Sequence, residues 1–328
     1  MKYSYLGQTG MKVSQICLGT MQFGWTADEE TSKIIMNKAY DLGINFFDTA
    51  NVYSRWSDKS YPGKSEDIIG QWLKESGNRN DIILATKVRG QMLKDSDLTD
   101  NNVNISGLSR RYIFQQIDAS LKRLQTKWID LYQAHSVDRE VPIRETLSSF
   151  TDLIQQGKIN HIGASNYPAW ALVESLWVAE RYNLASYQTI QPYYNLADRQ
   201  PFEQAKQTVC QRYEIAVIPY SPLAAGFLTG KYRKGKELPN SERANRIKKE
   251  FMNEKGFKLL EVMDEIAVSQ EISLTQLALA WILRQPTITS PIFGANSVSQ
   301  LEDIILAVEV KLSSEEVDRL SSISNNQK

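Results

Sequence analysis

At 328 residues, with 42% hydrophobic and 23% charged, the chain has the length and composition of two average globular domains or one large α/β domain with a sizeable core. Its 38 basic and 38 acidic residues cancel, which removes any global electrostatic case for nucleic acid or a membrane surface as a partner. Cys17 and Cys210, the only cysteines, and the two histidines give neither a disulfide framework nor a zinc signature, so no metal is expected.

The start, Met1-Lys2-Tyr3-Ser4, lacks a signal-peptide apolar region, and no apolar run nears membrane-spanning length; a reducing, cytoplasmic setting is expected. Residues 3–15 alternate around Gln8-Thr9-Gly10, which predicts a β-hairpin ahead of the main fold. The first core strand covers residues 16–21, and Asp28 can cap a helix carrying Ile34, Ile35, Ala39 and Leu42. Residues 45–50 form the second strand, and Ser65 opens a helix with Ile68, Ile69, Trp72 and Leu73. In residues 81–87 the consecutive Ile82, Ile83 and Leu84 fit a strand buried on both faces. Ser109 caps a helix whose Ile113, Ile117, Leu121 and Leu124 keep helical spacing. A fourth strand, 129–134, precedes a helix with Pro142 as its first residue. Then come a strand at 161–164, a helix through Trp170, Leu172 and Leu176, a strand at 187–191 and a helix over 202–213. Strands at 216–220 and 289–293 complete the series, with extra helices between them at 256–268 and 274–284.

Eight strands separated by helix-length crossovers are parallel βαβ units, and eight such units most economically close into a (β/α)8 TIM barrel. The rival open sheet ordinarily carries Gly-x-Gly-x-x-Gly after its first strand; Gly19-Thr20-Met21-Gln22-Phe23-Gly24 does not match. No linker divides the chain, so residues 1–328 are read as a single domain. Lys231, Arg233, Lys234, Lys236, Arg243, Arg246, Lys248 and Lys249 form a basic run after strand seven. Such a run is either a solvated loop or a seat for a phosphate-bearing ligand.

Barrel enzymes collect their chemistry at the C-terminal ends of the strands. Those positions hold Asp48, Lys87, His135, Ser165-Asn166, Gln191, Tyr220-Ser221 and Gly294, with Tyr53 five residues beyond Asp48. Singly, each has a structural explanation: Asp48 can cap a turn, Lys87 can snorkel at the rim, and His135 can be a packed histidine. Together they would converge on one mouth.

These residues resemble the aldo-keto reductase superfamily over essentially the whole chain. The resemblance rests on Asn45-Phe46-Phe47-Asp48-Thr49-Ala50, Tyr53, Gly63-Lys64-Ser65-Glu66, Ala85-Thr86-Lys87 and Asp130-Leu131-Tyr132-Gln133-Ala134-His135. It continues through Gly157-Lys158, Ile162-Gly163-Ala164-Ser165-Asn166, Gln191-Pro192-Tyr193-Tyr194-Asn195 and Tyr220-Ser221-Pro222-Leu223, with Gly226 to Lys231 just beyond. It is nearest to the bacterial branch that includes relatives of the potassium-channel β subunits.

The resemblance implies a catalytic tetrad of Asp48, Tyr53, Lys87 and His135. Tyrosine titrates near about 10 when unperturbed, so Tyr53 is protonated at neutral pH and can serve as the general acid in carbonyl reduction. Lys87 would lower its pKa by stabilising the tyrosinate, Asp48 would hold Lys87, and His135 would orient the substrate carbonyl. The implied cofactor is NADPH, with NADH as the alternative. Ser165, Asn166 and Gln191 would bind its carboxamide, Tyr220 would stack on the ring, and Ser221, Pro222, Leu223, Gly226 and Lys231 would pass over the pyrophosphate. Gly19, Thr20, Met21, Gly294, Asn296, Gln300 and Asp303 complete the expected cofactor set.

The segment from Phe293 to Ile304 departs from the pattern of NADPH-binding members, because it holds no Lys or Arg for a 2′-phosphate. Trp25, Trp56 and Arg89 are expected to wall a pocket for a small-molecule carbonyl substrate, an aldehyde or ketone, sugar-derived ones included. Ser136 and Val137 after His135 imply a wider pocket than usual. Two other readings stand beside the reductase: a Schiff-base aldolase built on Lys87, and a nucleotide-sensing regulatory subunit.

Overall fold

In the computed structural model, which describes residues 1–325, the hairpin comes first: β1 (Tyr3–Tyr5) pairs antiparallel with β2 (Lys12–Ser14). Eight strands follow: β3 (Cys17–Gly19), β4 (Phe46–Asp48), β5 (Ile83–Val88), β6 (Ile129–Ala134), β7 (Ile159–Ser165), β8 (Thr189–Gln191), β9 (Ala216–Val217) and β10 (Ile292–Phe293). They form one parallel sheet in sequence order, and β10 returns to pair with β3. Parallel bridges Val217–Ile288 and Tyr220–Ile292 join the remaining edges, with Ile292 N donating to Pro219 O at 2.8 Å. The sheet is thereby closed into a (β/α)8 barrel.

Helices cover the outside: α1 (Glu29–Asp41), α2 (Lys64–Ser76), α3 (Arg110–Arg123), α4 (Ile143–Gln155), α5 (Ala169–Tyr182) and the short α6 (Gln200–Glu203) and α7 (Gln207–Arg212). Three more, α8 (Ala244–Glu250), α9 (Glu254–Gln270) and α10 (Leu274–Leu283), fill the long connection to β10, and α11 (Val298–Leu306) and α12 (Ser314–Asn325) follow it. Among the described residues no single helix is long and apolar enough to cross a membrane.

Several local expectations are met by the atoms that justify them. Asp28 caps α1 by accepting from Thr31 N at 2.8 Å, and Ser109 caps α3 by accepting from Tyr112 N. Two others differ. The helix expected to open at Ser65 begins one residue earlier, at Lys64 after the cap residue Gly63, and the Ser65 hydroxyl is turned inward onto Thr20 O at 2.8 Å. The helix expected over 202–213 is two short pieces, α6 and α7.

Strand alternation sorts the side chains into two cores. Outward-facing Phe47, Leu84, Tyr132, Ile162, Ile190 and Val217 pack under the helices. Inward-facing Cys17, Phe46, Ala85, Leu131, Ala216, Ile218 and Ile292 fill the barrel, and Leu6 and Val13 from the hairpin join them. The hairpin therefore seals the N-terminal end of the barrel. Gly7 makes this seat possible: its φ is +61°, and a Cβ there would stand 2.5 Å from Gln188 O. The same alternation, followed two residues further along each strand, sends the polar strand-end residues into the opposite mouth.

Candidate active site

At that mouth lies a cavity of about 840 Å³, within the range of small-molecule and cofactor sites. Behind its wall lies Lys87, which has no exposed surface. The ammonium donates three hydrogen bonds: to Asp48 Oδ2 at 2.5 Å, to Thr49 O at 2.8 Å and to Tyr53 OH at 3.0 Å. All three ammonium protons are thereby used. The sequence places these groups by two devices. Asp48 and Lys87 are inward positions of neighbouring strands β4 and β5, and a turn from Ala50 to Tyr53 folds the phenol back over them.

The charges follow from this geometry. Burial works to lower the Lys87 pKa, but Asp48 and Tyr53 outweigh it and hold the amine above its ordinary value. For Tyr53 burial dominates and raises the pKa, while the Lys87 cation opposes it. The expected depression by Lys87 is real as a contribution, and is smaller than the cost of burying a phenolate. His135, whose ring meets Tyr53 edge-on at 6.1 Å, is pushed down to about 3 by burial, with Lys87 and Arg89 adding to the effect. It is neutral across the physiological range and can donate from one ring nitrogen.

Around this centre the remaining strand ends are already cross-linked. Ser165 Oγ donates to Gln191 O at 3.0 Å, Asn166 Nδ2 donates to His135 O and Ser165 Oγ, both at 3.0 Å, and Tyr220 OH donates to Asn166 Oδ1 at 2.9 Å. Asn166 and Ser221 hold φ of +54° and +56°, and the Asn166 side chain is fixed by this bonding. Gly19, Thr20, Met21, Pro222, Leu223, Gly226, Lys231, Gly294, Asn296, Gln300 and Asp303 line the same cavity. Asp303 is itself held by Ser273 and Gln276, at 2.8 and 2.7 Å. Trp25 and Trp56 form the other wall, edge to face at 5.5 Å, and Trp56 continues to Tyr53 at 6.0 Å. Arg89, Ser136 and Val137 do not line the cavity.

Pairing divides the basic run. Arg233 is bound by Asp264, Lys234 by Glu254 and Arg246 by Glu250. Lys231 and Arg243 line the cavity and have no carboxylate partner among the described residues. Arg243 also lies over the Trp25 ring, 5.8 Å from its centre. The sequence showed Arg243 only as one basic residue among eight; its place in the cavity depends on how the loop before α8 folds back.

Comparison with known proteins agrees with this arrangement. The sequence model of the aldo/keto reductase family matches residues 15–325. The chain belongs to the aldo/keto reductase family. Its relatives include an uncharacterised oxidoreductase, YrpG, of Bacillus subtilis, 38% identical over 98% of this chain and 96% of that protein. A putative voltage-gated potassium channel subunit beta of Schizosaccharomyces pombe is 34% identical over 98% of this chain and 93% of its own. The versiconal hemiacetal acetate reductase of Aspergillus parasiticus is 33% identical, with 98% and 96% covered. Aldo-keto reductases act on small-molecule carbonyl compounds with a nicotinamide dinucleotide, and this one is an oxidoreductase of that general kind. The cavity fits such a dinucleotide: it has the volume, two unpaired cations, and an aromatic face at Tyr220 beside a row of amide and hydroxyl groups.

Proposed function

We propose that the protein reduces aldehydes or ketones, sugar-derived ones among them, to alcohols with NADPH, and that Tyr53 delivers the proton. The observation that carries this reading is the Lys87 ammonium hydrogen-bonded to the Tyr53 oxygen at the cavity wall. Because Lys87 donates to that oxygen, the phenol proton is free to point into the cavity, and the phenolate left behind faces a fixed cation. When bound, the dinucleotide supplies the hydride for the carbonyl carbon. The Tyr53 proton goes to the oxygen, so C=O becomes CH–OH with charge balanced. Neutral His135 donates a hydrogen bond to the same oxygen, which orients it and stabilises the charge that develops there. Asp48 keeps Lys87 charged and in place.

In this reading Ser165, Asn166 and Gln191 hold the carboxamide, and the Tyr220 ring is its platform. Ser221, Pro222, Leu223, Gly226 and Lys231 follow the pyrophosphate. Gly19, Thr20 and Met21 border the nicotinamide half, and Gly294, Asn296, Gln300 and Asp303 border the adenosine half. NADPH is favoured over NADH because Arg243, a cation at the cavity with no carboxylate partner among the described residues, is left for a 2′-phosphate once Lys231 is given to the pyrophosphate. It answers the lack of Lys or Arg between Phe293 and Ile304. Trp25 and Trp56 would wall the substrate. Residues 1–328 act as one domain in this scheme, in the cytoplasm; the family match over residues 15–325 supports the first point.

An aldolase would need Lys87 neutral and open to substrate, whereas it is buried, triply bonded and held above its ordinary pKa. The channel-subunit names of several relatives favour a second reading, in which dinucleotide occupancy is sensed. Fluorescence titration with NADPH and then NADH, followed by a carbonyl panel, tests both. Saturable binding with turnover supports the reductase; binding with no turnover of any carbonyl would favour the sensor.

A further inference from the structure

One buried polar side chain under the mouth has no part in the scheme above. Gln133 lies on β6 in register with Lys87 on β5 and Gly163 on β7, and it has no exposed surface. Alternation points it into the barrel, as it does Leu131 two residues earlier. Gly163 leaves the room: a Cβ there would stand 3.2 Å from Gln133 Cγ and 2.1 Å from Thr189 Oγ1. Gln133 Nε2 donates to Asp48 Oδ1 at 3.0 Å. Gln191 Nε2 donates to the same oxygen at 2.9 Å and to Gln133 Oε1 at 3.3 Å.

A carboxamide has a donor end and an acceptor end, and its neighbours decide which end faces which way. For Gln191 both inner neighbours, Asp48 Oδ1 and Gln133 Oε1, are acceptors. Turned the other way, its oxygen would face a carboxylate oxygen in a buried site, a repulsive arrangement. The NH2 group is thus held inward and Oε1 faces outward, where it accepts no hydrogen bond from protein among the described residues. Gln191 lines the cavity, so that oxygen is an acceptor offered to a ligand.

We infer that Gln133 is a positioning residue: together with Asp48 Oδ1 it holds the Gln191 amide with its carbonyl toward the cavity, selecting a ligand group that carries an N–H, the carboxamide of the nicotinamide. Gln133 also ties this hook to Asp48, whose other oxygen holds Lys87, so the cofactor contact and the proton-transfer pair share one carboxylate. The inference rests on the functional reading above.

The test compares the Kd of NADPH with that of its 3-acetylpyridine analogue, in which a methyl group replaces the carboxamide NH2. Both are titrated by protein fluorescence, without substrate. Wild type should prefer NADPH by about five- to tenfold, the worth of one net hydrogen bond. Gln133→Met, close in volume, removes one of the two acceptors that hold the Gln191 NH2 inward and leaves Asp48 Oδ1, so it should cut the preference to about two- to threefold by weakening NADPH alone. Gln191→Met should remove the preference, and adding Gln133→Met to it should change nothing more, because the two act through one contact. Gln133→Glu, protonated between Asp48 and Gln191, keeps both contacts and should keep the preference.

A Gln133→Met variant with the wild-type preference overturns the inference, even if its Tm falls, since lost packing weakens both ligands alike. A Glu variant that loses the preference counts against it equally. If wild type binds neither dinucleotide, the functional reading fails and takes this inference with it. Binding with an unchanged preference removes this inference alone.

Discussion

Lys87 Nζ donates a 3.0 Å hydrogen bond to Tyr53 OH from a position with no exposure to solvent. The phenol lines the cavity, whereas the ammonium behind it does not. Tyr53→Phe is expected to lower kcat for carbonyl reduction by about 10³-fold, within the range for a positioned general acid, and to leave the NADPH Kd within about twofold. Steady-state kinetics alongside fluorescence titration check this; turnover close to wild type would refute the proton-donor role.

The opposed influences on Tyr53 give a pH dependence. Burial raises its pKa, so the acid form persists through neutral and mildly alkaline pH, and reduction should hold its rate until the pH exceeds the ordinary tyrosine range. Alcohol oxidation needs the phenolate and should accelerate with pH over the same interval. Lys87→Met removes the opposing cation, which moves the alkaline limb further up and lowers kcat by about 10²-fold or more. Rate profiles from pH 6 to 10 in both directions would expose an error in sign.

His135 predicts behaviour at the acid end. Its folded pKa is depressed to about 3, so between that value and the ordinary 6.5 the unfolded chain binds a proton that the folded chain refuses. The neutral ring thus costs nothing above pH 6.5, and stability declines as pH falls below it, by up to about 1.4 kcal/mol per pH unit. His135→Gln should flatten that slope. Denaturant midpoints at pH 7, 6, 5 and 4 measure it, and parallel curves for the two proteins would refute the assignment.

Arg243 bears on the choice of dinucleotide. Arg243→Ala is expected to raise the Kd for NADPH by about tenfold, as expected for a charge-assisted hydrogen bond to phosphate, while the Kd for NADH stays within about twofold. Equal losses for both would place the guanidinium at a phosphate that they share.

A stability prediction concerns Glu66 on α2. Its carboxylate is fully buried and accepts from Thr86 Oγ1 at 2.6 Å, Arg123 Nε at 2.7 Å and Ser120 Oγ at 3.2 Å, tying two helices to the back of β5. Glu66→Ala leaves Arg123 uncompensated and should destabilise the fold by about 3–5 kcal/mol. Because Thr86 neighbours Lys87, kcat should fall as well. Calorimetry showing an unchanged Tm would contradict this.

Much of this was legible in the sequence because a barrel strand has only two faces. Once Asp48, Lys87, Ser165 and Gln191 are recognised as strand ends, period two sends them to one mouth without any knowledge of the loops. Gln133 was invisible by the same logic: it sits inside Leu131-Tyr132-Gln133-Ala134, and no pattern tells a buried amide with partners from one that merely fits. Arg89 failed the other way. Its place two residues after Lys87 suggested a pocket wall, but its φ of +140° takes the chain away from strand geometry there, and Arg89 is not among the residues that line the cavity. Trp170 shows the limit for helices, since a large apolar residue on α5 is more than half exposed. Arg243 needed the fold of a long connection, which composition cannot supply.

The hairpin under the barrel has a consequence for traffic. With Leu6 and Val13 packed into its floor, the barrel is closed at that end, and the cavity opens at the other. In the proposed reaction the dinucleotide, the carbonyl compound and the proton that recharges Tyr53 would all use that opening. Recharging would then wait until the way is clear, and a turnover would end with an emptied mouth. A solvent isotope effect confined to the release phase of a single-turnover experiment would be its signature; one confined to the chemical step would mean that protons have another route.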